Sequence, residues 1–378
     1  MSMHQEFTNF SFWEARTLFK QSDLAIIGAG IVGLSTAISF KKKHPLARVV
    51  VFERGWMQDG ASTKNAGFAC FGSVGELCDD LTSMPSETVF ETLAMRWQGL
   101  KTLRKRLGDK NLRFEKHGGF ELFDNEVQLD AYRGQLDMLN RKVKEYTGQR
   151  KCFSVVNNPI RHFGSSKHAF FNCYEGQLDT GLMMQNLRWL AMSLKIELFF
   201  NTPVTALESL VGKVSIATTH GEFFARNVVV ATNGFAARLL NIKDVRPARA
   251  QVLVTKPIHG LQLKGTFHYQ KGYYYFRNID GRILLGGGRN LDFEGETTYA
   301  QGISEPIQNE LNRLLGERIV KGRRVEVERR WSGIMGVGSE KKPIIKAYRR
   351  NIIAAVRMGG MGVAIGTLVG EKAAGMVK

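Results

Sequence analysis

Apolar and polar positions along this 378-residue chain follow two periods, which together predict alternating strands and helices. The apolar run in "DLAIIGAGIVGLSTA", residues 23 to 37, passes through three glycines into an apolar helical stretch, and "ARVVVFERG" at 47–55 is a second unbroken apolar run. Such short runs, bounded by glycine or charge, predict buried strands, so residues 23–53 predict one strand–helix–strand unit. Helical spacing predicts a helix over 87–108, a longer charged amphipathic helix over 126–146, and a helix over 178–194 with Asp179 or Thr180 as its N-cap. "GGFELF" between the first two has strand character. "KIELFFN", "VTALESL", "KVSIATTH" and "EFFARNVVVAT" predict strands in series, followed by a cluster at 250–288 that includes "GYYYFRN" and "GRILLGGG". A last strand, "NIIAAVRMGG", runs into the glycine-broken helix "MGVAIGTLVGEKAAGMV". No internal repeat interrupts the series. The alternation predicts an α/β fold in which a discontinuous Rossmann-like nucleotide-binding domain (1–85, 178–245 and 329–378) carries an inserted α+β domain (86–177 and 246–328).

Length supports two lobes, since single cores seldom grow past ~250–300 residues. The 43% hydrophobic and 23% charged residues are those of a folded globular protein. The longest weakly polar run, Leu24 to Phe40, is broken by Gly28, Gly30 and Gly33 and falls short of a membrane span. The first twenty residues lack the basic, apolar and small-residue series of a secretory leader, so a cytoplasmic location is expected. Cys70, Cys78, Cys152 and Cys173 show no paired spacing and are expected as buried free thiols, and the eight histidines show no ligand spacing, so no metal is expected. Net charge is +18, with basic clusters at Lys41 to Lys43, Arg104 to Arg106, Lys321 to Arg324, and Lys341 to Lys342. That charge fits a solvated basic surface as well as nucleic-acid contact, and composition leaves both open.

Gly28, Gly30 and Gly33 form G-x-G-x-x-G between strand and helix, with Ile31 and Val32 opening the helix. Each glycine has a use in that pattern: a tight turn, close approach of backbone to a pyrophosphate, and close packing of helix on strand. The helix start presents free N–H groups and a positive dipole end to phosphate. Glu53, twenty residues past Gly33, stands where a carboxylate accepts hydrogen bonds from a ribose diol. The plainer readings are a tight turn without ligand, and a strand-end Glu53 paired with Arg54. FAD and NAD both use this unit. A flavoenzyme reduced by NAD(P)H needs a second such unit, and none follows, so a flavin here is expected to be reduced by the substrate itself.

With "GASTKNAGFA" at 60–69, "NVVVATNGF" at 227–235, "YYYFRNIDGRILLGGG" at 273–288, "RRWSGIMG" at 329–336 and "MGGMGVAIG" at 358–366, the chain resembles the D-amino-acid oxidase and amine oxidase superfamily, which includes glycine and sarcosine oxidases. The resemblance spans nearly the whole chain and implies FAD. It places Ala61, Ser62, Thr63, Asn65, Ala66 and Gly67 along the pyrophosphate and flavin edge, Val204 at the adenine, and Ala231, Thr232 and Gly234 beneath the dinucleotide. Gly360, Met361, Gly362 and Val363 correspond to the helix start facing the flavin, where a positive dipole end favours negative charge on the reduced ring.

The chemistry implied is oxidation of the carbon beside a neutral amine to an imine, which water hydrolyses. The resemblance also exposes departures. Met335 stands where glycine-type enzymes carry a carboxylate-binding arginine, Ala364 where sarcosine-type enzymes carry a lysine, and Leu284 where a lysine assists oxygen. No cysteine falls at the family's flavin-attachment position, so FAD is expected to be non-covalent. The "YYYFRNIDGRILLGGG" and "WSGIMG" stretches are similar to those of amine oxidases such as γ-glutamylputrescine oxidases. Strand alternation puts Tyr273, Tyr275 and Arg277 on one face as candidates for the substrate wall, against the plainer reading of an aromatic row at a domain interface. Arg357, before the C-terminal glycines, is a candidate replacement for the missing carboxylate anchor, or the partner of a surface acid. The expected partners are a small amine or amino acid and an acceptor, oxygen or a respiratory carrier. Two other readings are an RNA-modifying oxidase, for which no RNA-binding module is recognisable, and a flavoprotein without catalysis.

Overall fold

The computed structural model describes residues 10–378, so part of the stretch bearing on a leader, residues 1–9, lies outside the described residues. The chain opens with α1 (Phe12–Leu18), β1 (Ser22–Ile27), α2 (Ile31–Lys43), β2 (Val49–Phe52), α3 (Ala61–Lys64), β3 (Phe68–Ala69), α4 (Val74–Ser83), α5 (Ser86–Leu107) and α6 (Asp109–Leu112). Then come β4 (Gly119–Leu122), α7 (Glu126–Arg133), α8 (Leu136–Thr147), β5 (Phe153–Asn157), β6 (His168–Asn172), β7 (Gly176–Gln177) and α9 (Thr180–Ser193). A run of strands follows: β8 (Glu197–Phe199), β9 (Val204–Leu210), β10 (Lys213–Thr218), β11 (Gly221–Val230), β12 (Arg246–Thr255), β13 (Thr266–Tyr269), β14 (Tyr274–Ile279) and β15 (Arg282–Gly287). The chain closes with α10 (Glu305–Leu314), β16 (Val327–Val337), β17 (Ile344–Arg349), β18 (Ile352–Val356) and α11 (Gly362–Met376).

Two large sheets organise these elements. The first has the order β17-β18-β11-β1-β2-β8, parallel from β18 to β8, with β10 and β9 added antiparallel beside β11. Strands β2 and β18 are apolar at every position, and β1 and β11 are so over 24–27 and 228–230, because both faces are covered there. Leu24, Ile26, Val49 and Val51 face α2, α5, α9 and α11, while Ala25, Ile27, Val50 and Phe52 face a core with Val214, Ile216 and Phe223. Helix α11 crosses α2 closely at glycines: a Cβ on Gly370 would lie 2.6 Å from Ser35 Cβ, and one on Gly366 2.9 Å from Ile31.

The second sheet has the order β16-β12-β15-β14-β13-β4-β6-β5. One face packs on α10 through Leu253, Phe276 and Leu285 against Ile307, Leu311 and Leu314. The opposite face looks towards the first sheet. Strand β16 pairs with β12 from Val327 to Val337, so residues 329–337 sit in the second sheet, not with the nucleotide-binding segment to which the sequence boundary assigned them.

The helix expected over 126–146 is broken. Gly134 closes α7, and Gln135 N–H donates to Tyr132 O at 2.9 Å, an i to i+3 bond that tightens the turn before α8 begins. Glycine has the propensity to yield there. The helix at 180–193 begins as expected, with Asp179 accepting from Leu182 N–H at 2.9 Å.

Candidate active site

A cavity of about 1120 Å³ runs from the glycine turn of the first sheet to the inner face of the second. That exceeds the ~300–1,000 Å³ of an ordinary small-ligand site and leaves room for a dinucleotide and a small co-substrate. At one end lie Gly28, Gly30, Ile31, Val32, Glu53, Arg54 and Val204. Gly28 has φ +104°, and a Cβ there would come 3.0 Å from Ala231 O, so only glycine makes this turn without strain. Glu53 Oε2 accepts from Ala29 N–H at 2.9 Å and Oε1 from Gly55 N–H at 3.2 Å. Burial raises its carboxyl pKa, and those two N–H groups pull it back. Arg54 does not pair with Glu53; its guanidinium stacks 3.7 Å from the Phe235 ring. Ser62 Oγ accepts from Ile31 N–H at 3.0 Å, which leaves the hydroxyl proton free to donate into the cavity.

Ala61, Asn65, Ala66, Ala231 and Thr232 continue the lining. Thr232 Oγ1 and Gln58 Nε2 are buried without hydrogen-bond partners among the described residues, two polar atoms that a bound group would satisfy. Helix α11 enters with Gly360, Met361, Gly362 and Val363 on the wall and no side chain capping its first N–H groups. Thr63, Gly33, Gly67 and Gly234 are not on the wall. Thr63 donates to Gln58 O and Gly60 O at 3.1 Å, and the three glycines allow backbone contacts that a Cβ would block. A Cβ on Gly33, Gly67 or Gly234 would lie 1.8 Å from Gly28 O, 2.3 Å from Leu178 O or 2.3 Å from Met335 O.

On the second sheet, Ala250, Val252, His268, Tyr275, Gly333 and Met335 face the cavity. Tyr273 lines it too, from the turn before β14. Burial pushes the Tyr275 hydroxyl up to about 12. Tyr274 points the other way, into the core under α10, as alternation requires. Leu284 packs with Ala66 and Val252 in a small apolar cluster.

Two expectations need correction. Arg277 is buried off the cavity wall and donates to Gly67 O at 3.4 Å, with burial lowering its pKa to about 10. Arg357 is turned away as well. Its guanidinium pairs with Asp244 and Glu340 and donates to Lys342 O at 2.8 Å, and its left-handed backbone, φ 67°, is tied by N–H to Asn233 Oδ1. The surface-acid reading holds, since the side chains of its partners Asp244 and Glu340 are 44% and 59% exposed.

Tertiary structure adds groups that no motif marked. Glu76 and Asp80 of α4 line the cavity with Lys341, whose Nζ lies 3.0 Å and 2.7 Å from their carboxylates. Arg96 joins from α5 at 3.1 Å from Glu76. Behind His268, its Nε2 meets Glu175 at 3.0 Å, and Cys70, Glu175 and His268 bring their polar atoms within 4.8 Å of one another. Burial disfavours charge on His268, yet Glu175 and Glu121 outweigh it and raise its pKa; burial, then Glu175, raises the Cys70 thiol. The thiols all remain free, though Cys78 and Cys173 are half-buried, not buried as expected. These groups come from segments far apart in sequence, and the only signal was their residue type.

Glu121, fully buried, accepts from Ser73 Oγ at 3.0 Å and Gly75 N–H at 2.8 Å. Burial still pushes it up to about 7. Between its ordinary 4.5 and about 7 the folded state holds a proton that the unfolded state has lost, so stability falls as pH rises through that window. Glu121→Gln is expected to flatten this fall by up to about 3 kcal/mol. Urea melts at both ends of the window check it; parallel slopes in the two proteins would mean an ordinary carboxyl.

A largely parallel sheet with a glycine turn and strand-end acid, joined by one cavity to a second sheet, defines a dinucleotide-binding protein with room for a second ligand. The chain belongs to the DAO family of FAD-dependent oxidoreductases, which it matches over residues 23–376, and FAD is its cofactor. It is 25% identical to glycine oxidase of Geobacillus kaustophilus over 94% of this chain and 93% of that protein. It is 21% identical to sarcosine oxidase subunit beta of Rhodobacter capsulatus over 88% of this chain and 79% of that protein. Among solved structures, glycine oxidase from Geobacillus kaustophilus shares the fold with TM-score 0.76 at 22% identity over 94% of each chain. L-proline dehydrogenase from P. horikoshii does so with TM-score 0.75 at 17% identity, over 95% of this chain and 93% of that one. No helix among the described residues is long and apolar enough to cross a membrane.

Proposed function

We propose that this enzyme oxidises the C–N bond of a small amine or amino acid, giving an imine that water converts to a carbonyl compound and ammonia or a smaller amine. The observation that carries this reading is the single cavity joining the dinucleotide cradle to the Tyr275 and Met335 face of the second sheet. Glu53 would hold the ribose diol, Ser62 and the N–H groups of α2 the pyrophosphate, Val204 the adenine, and the start of α11 the flavin ring. Bound FAD supplies the two-electron sink. The protein's own part is to exclude water with Phe68, Val252 and Tyr275, and to orient an unprotonated amine against the helix start. A cysteinyl bond to FAD is disfavoured, because Cys70, the one cysteine that the described residues place on the cavity wall, is a buried thiol with raised pKa.

Anaerobic mixing with glycine, sarcosine, proline, D-amino acids, polyamines and γ-glutamyl polyamines tests the proposal through loss of flavin absorbance. Bleaching by a member of the set is expected. A yellow protein that none of them reduces would remove the amine-oxidising reading. Reoxidation rates in air then separate oxygen from a respiratory carrier as acceptor.

A further inference from the structure

Three arginines on the cavity wall, Arg54, Arg238 and Arg289, make no ion pair among the described residues; Arg54 and Arg238 are exposed and lie over aromatic rings, while Arg289 is half-buried. Arg289 follows the end of β15 and lines the cavity, yet it makes no ion pair among the described residues, and its buried Nε–H has no acceptor. Glu296, an acid whose field reaches it, is fully buried and held by Arg249, Gln251 and Ser304. Burial makes Arg289 a weaker base, as expected where charge lacks compensation. Its Cζ lies 4.9 Å from the centroid of the Phe293 ring, and Phe293 in turn meets Tyr273 edge-on at 6.1 Å. A guanidinium stacked on a ring keeps its N–H edge free for a planar, bidentate partner.

Position puts this corner at the substrate end. In the sheet Gly287 is level with Gln251, and three residues further along β12 Ala248 is level with Met335. The chain therefore leaves β15 towards the level of Met335, with only β12 between them. Met335 itself lies against the start of α11, its sulfur 3.4 Å from where a Cβ of Gly360 would stand. The adenine end, with Glu53 and Val204, is built by the other sheet.

We propose that Arg289 anchors a carboxylate of the substrate, so that the substrate is an amine bearing a carboxylate and not a simple polyamine; this rests on the amine-oxidising reading above. A carboxylate offers the two in-plane acceptors that the fork lacks, and a neutral amine elsewhere on the molecule leaves the pair balanced. Tyr273 stands beside the fork, its carbonyl accepting from Gly288 N–H at 3.1 Å, and closes the same corner.

The test titrates flavin-loaded protein with acetate and benzoate, and with acetamide and benzamide as neutral isosteres, reading flavin band shifts and melting temperature. The wild type is expected to prefer the carboxylates by at least about tenfold, and Arg289→Met to lose about 10- to 100-fold of carboxylate affinity with amide binding and flavin content unchanged. Carboxylates and amides binding the wild type equally would overturn the proposal, as would full carboxylate affinity in Arg289→Met. Should that variant fail to hold flavin, Arg289→Lys decides: losing the fork but not the charge, it must weaken the carboxylates and spare the amides. These ligands need no turnover. Failure of every amine to bleach the flavin would thus remove the function while Arg289 is still read, and bleaching with carboxylate binding independent of Arg289 would remove only the anchor.

Discussion

Gly33→Ala protein is expected to emerge pale from purification, with most of its flavin lost and its stability reduced by about 1–3 kcal/mol or more. A Cβ at this position would lie 1.8 Å from Gly28 O and 3.2 Å from Ile26, within the turn that joins β1 to α2. Backbone cannot yield there as a flexible side chain could. Helix α2 must instead lift from β1, which displaces the helix start, with Ile31 N–H and its acceptor Ser62 Oγ, from the proposed pyrophosphate path. The ratio of absorbance near the flavin band to that of the protein reads the first effect, and thermal unfolding of the apoprotein the second. Full flavin content with an unchanged melting temperature would show that the close helix–strand contact is dispensable.

Glu76→Gln is expected to cost about 2–4 kcal/mol, because it leaves the buried Arg96 without its carboxylate and the half-exposed, solvent-screened Lys341 with one fewer. Arg96, with a side chain 4% exposed, and Lys341 both donate to Glu76 Oε1, which glutamine keeps as a neutral acceptor; what they lose is the charge, leaving Asp80 as the carboxylate beside Lys341. Burial pushes the Glu76 carboxyl up, but Arg96 and Lys341 together bring it down to about 2. A carboxyl lowered in this way contributes stability that is present above its ordinary 4.5 and lost as pH falls through about 2. Asp80 beside it moves oppositely, raised by burial and by Glu76, so the effect is read as the difference between wild type and variant. Denaturant melts at neutral pH and near pH 3 give that difference: large at neutral pH and shrinking in acid. A loss under about 1 kcal/mol at neutral pH would mean that this cluster is solvated like a surface pair.

The cofactor half of the site was legible because its physics is local. Gly28, Gly30, Gly33 and Glu53 lie in one strand–helix–strand unit, where spacing fixes the turn, the helix start and the strand-end acid together. Tyr275 was legible through alternation within β14, which equally explains why Tyr274 is buried on the opposite face. Arg277 marks the limit of the same rule: alternation gave its face but not that Gly67, from a distant loop, covers it. Gly134 similarly breaks a helix that periodicity carried through to 146.

By itself the sequence determined the α/β class and the dinucleotide turn, since each depends on the period of apolar positions or on residues within some thirty positions of one another, while FAD followed from a resemblance spread over nearly the whole chain. Tertiary structure decided which charges meet. Arg357 is spent on Asp244, Glu76 and Asp80 are gathered around Lys341, His268 is set on Glu175, and Arg289 is left half-buried without an ion pair among the described residues. Whether a charged side chain pairs or stays free depends on neighbours brought from distant segments by sheet order and strand register, and no local pattern carries that information.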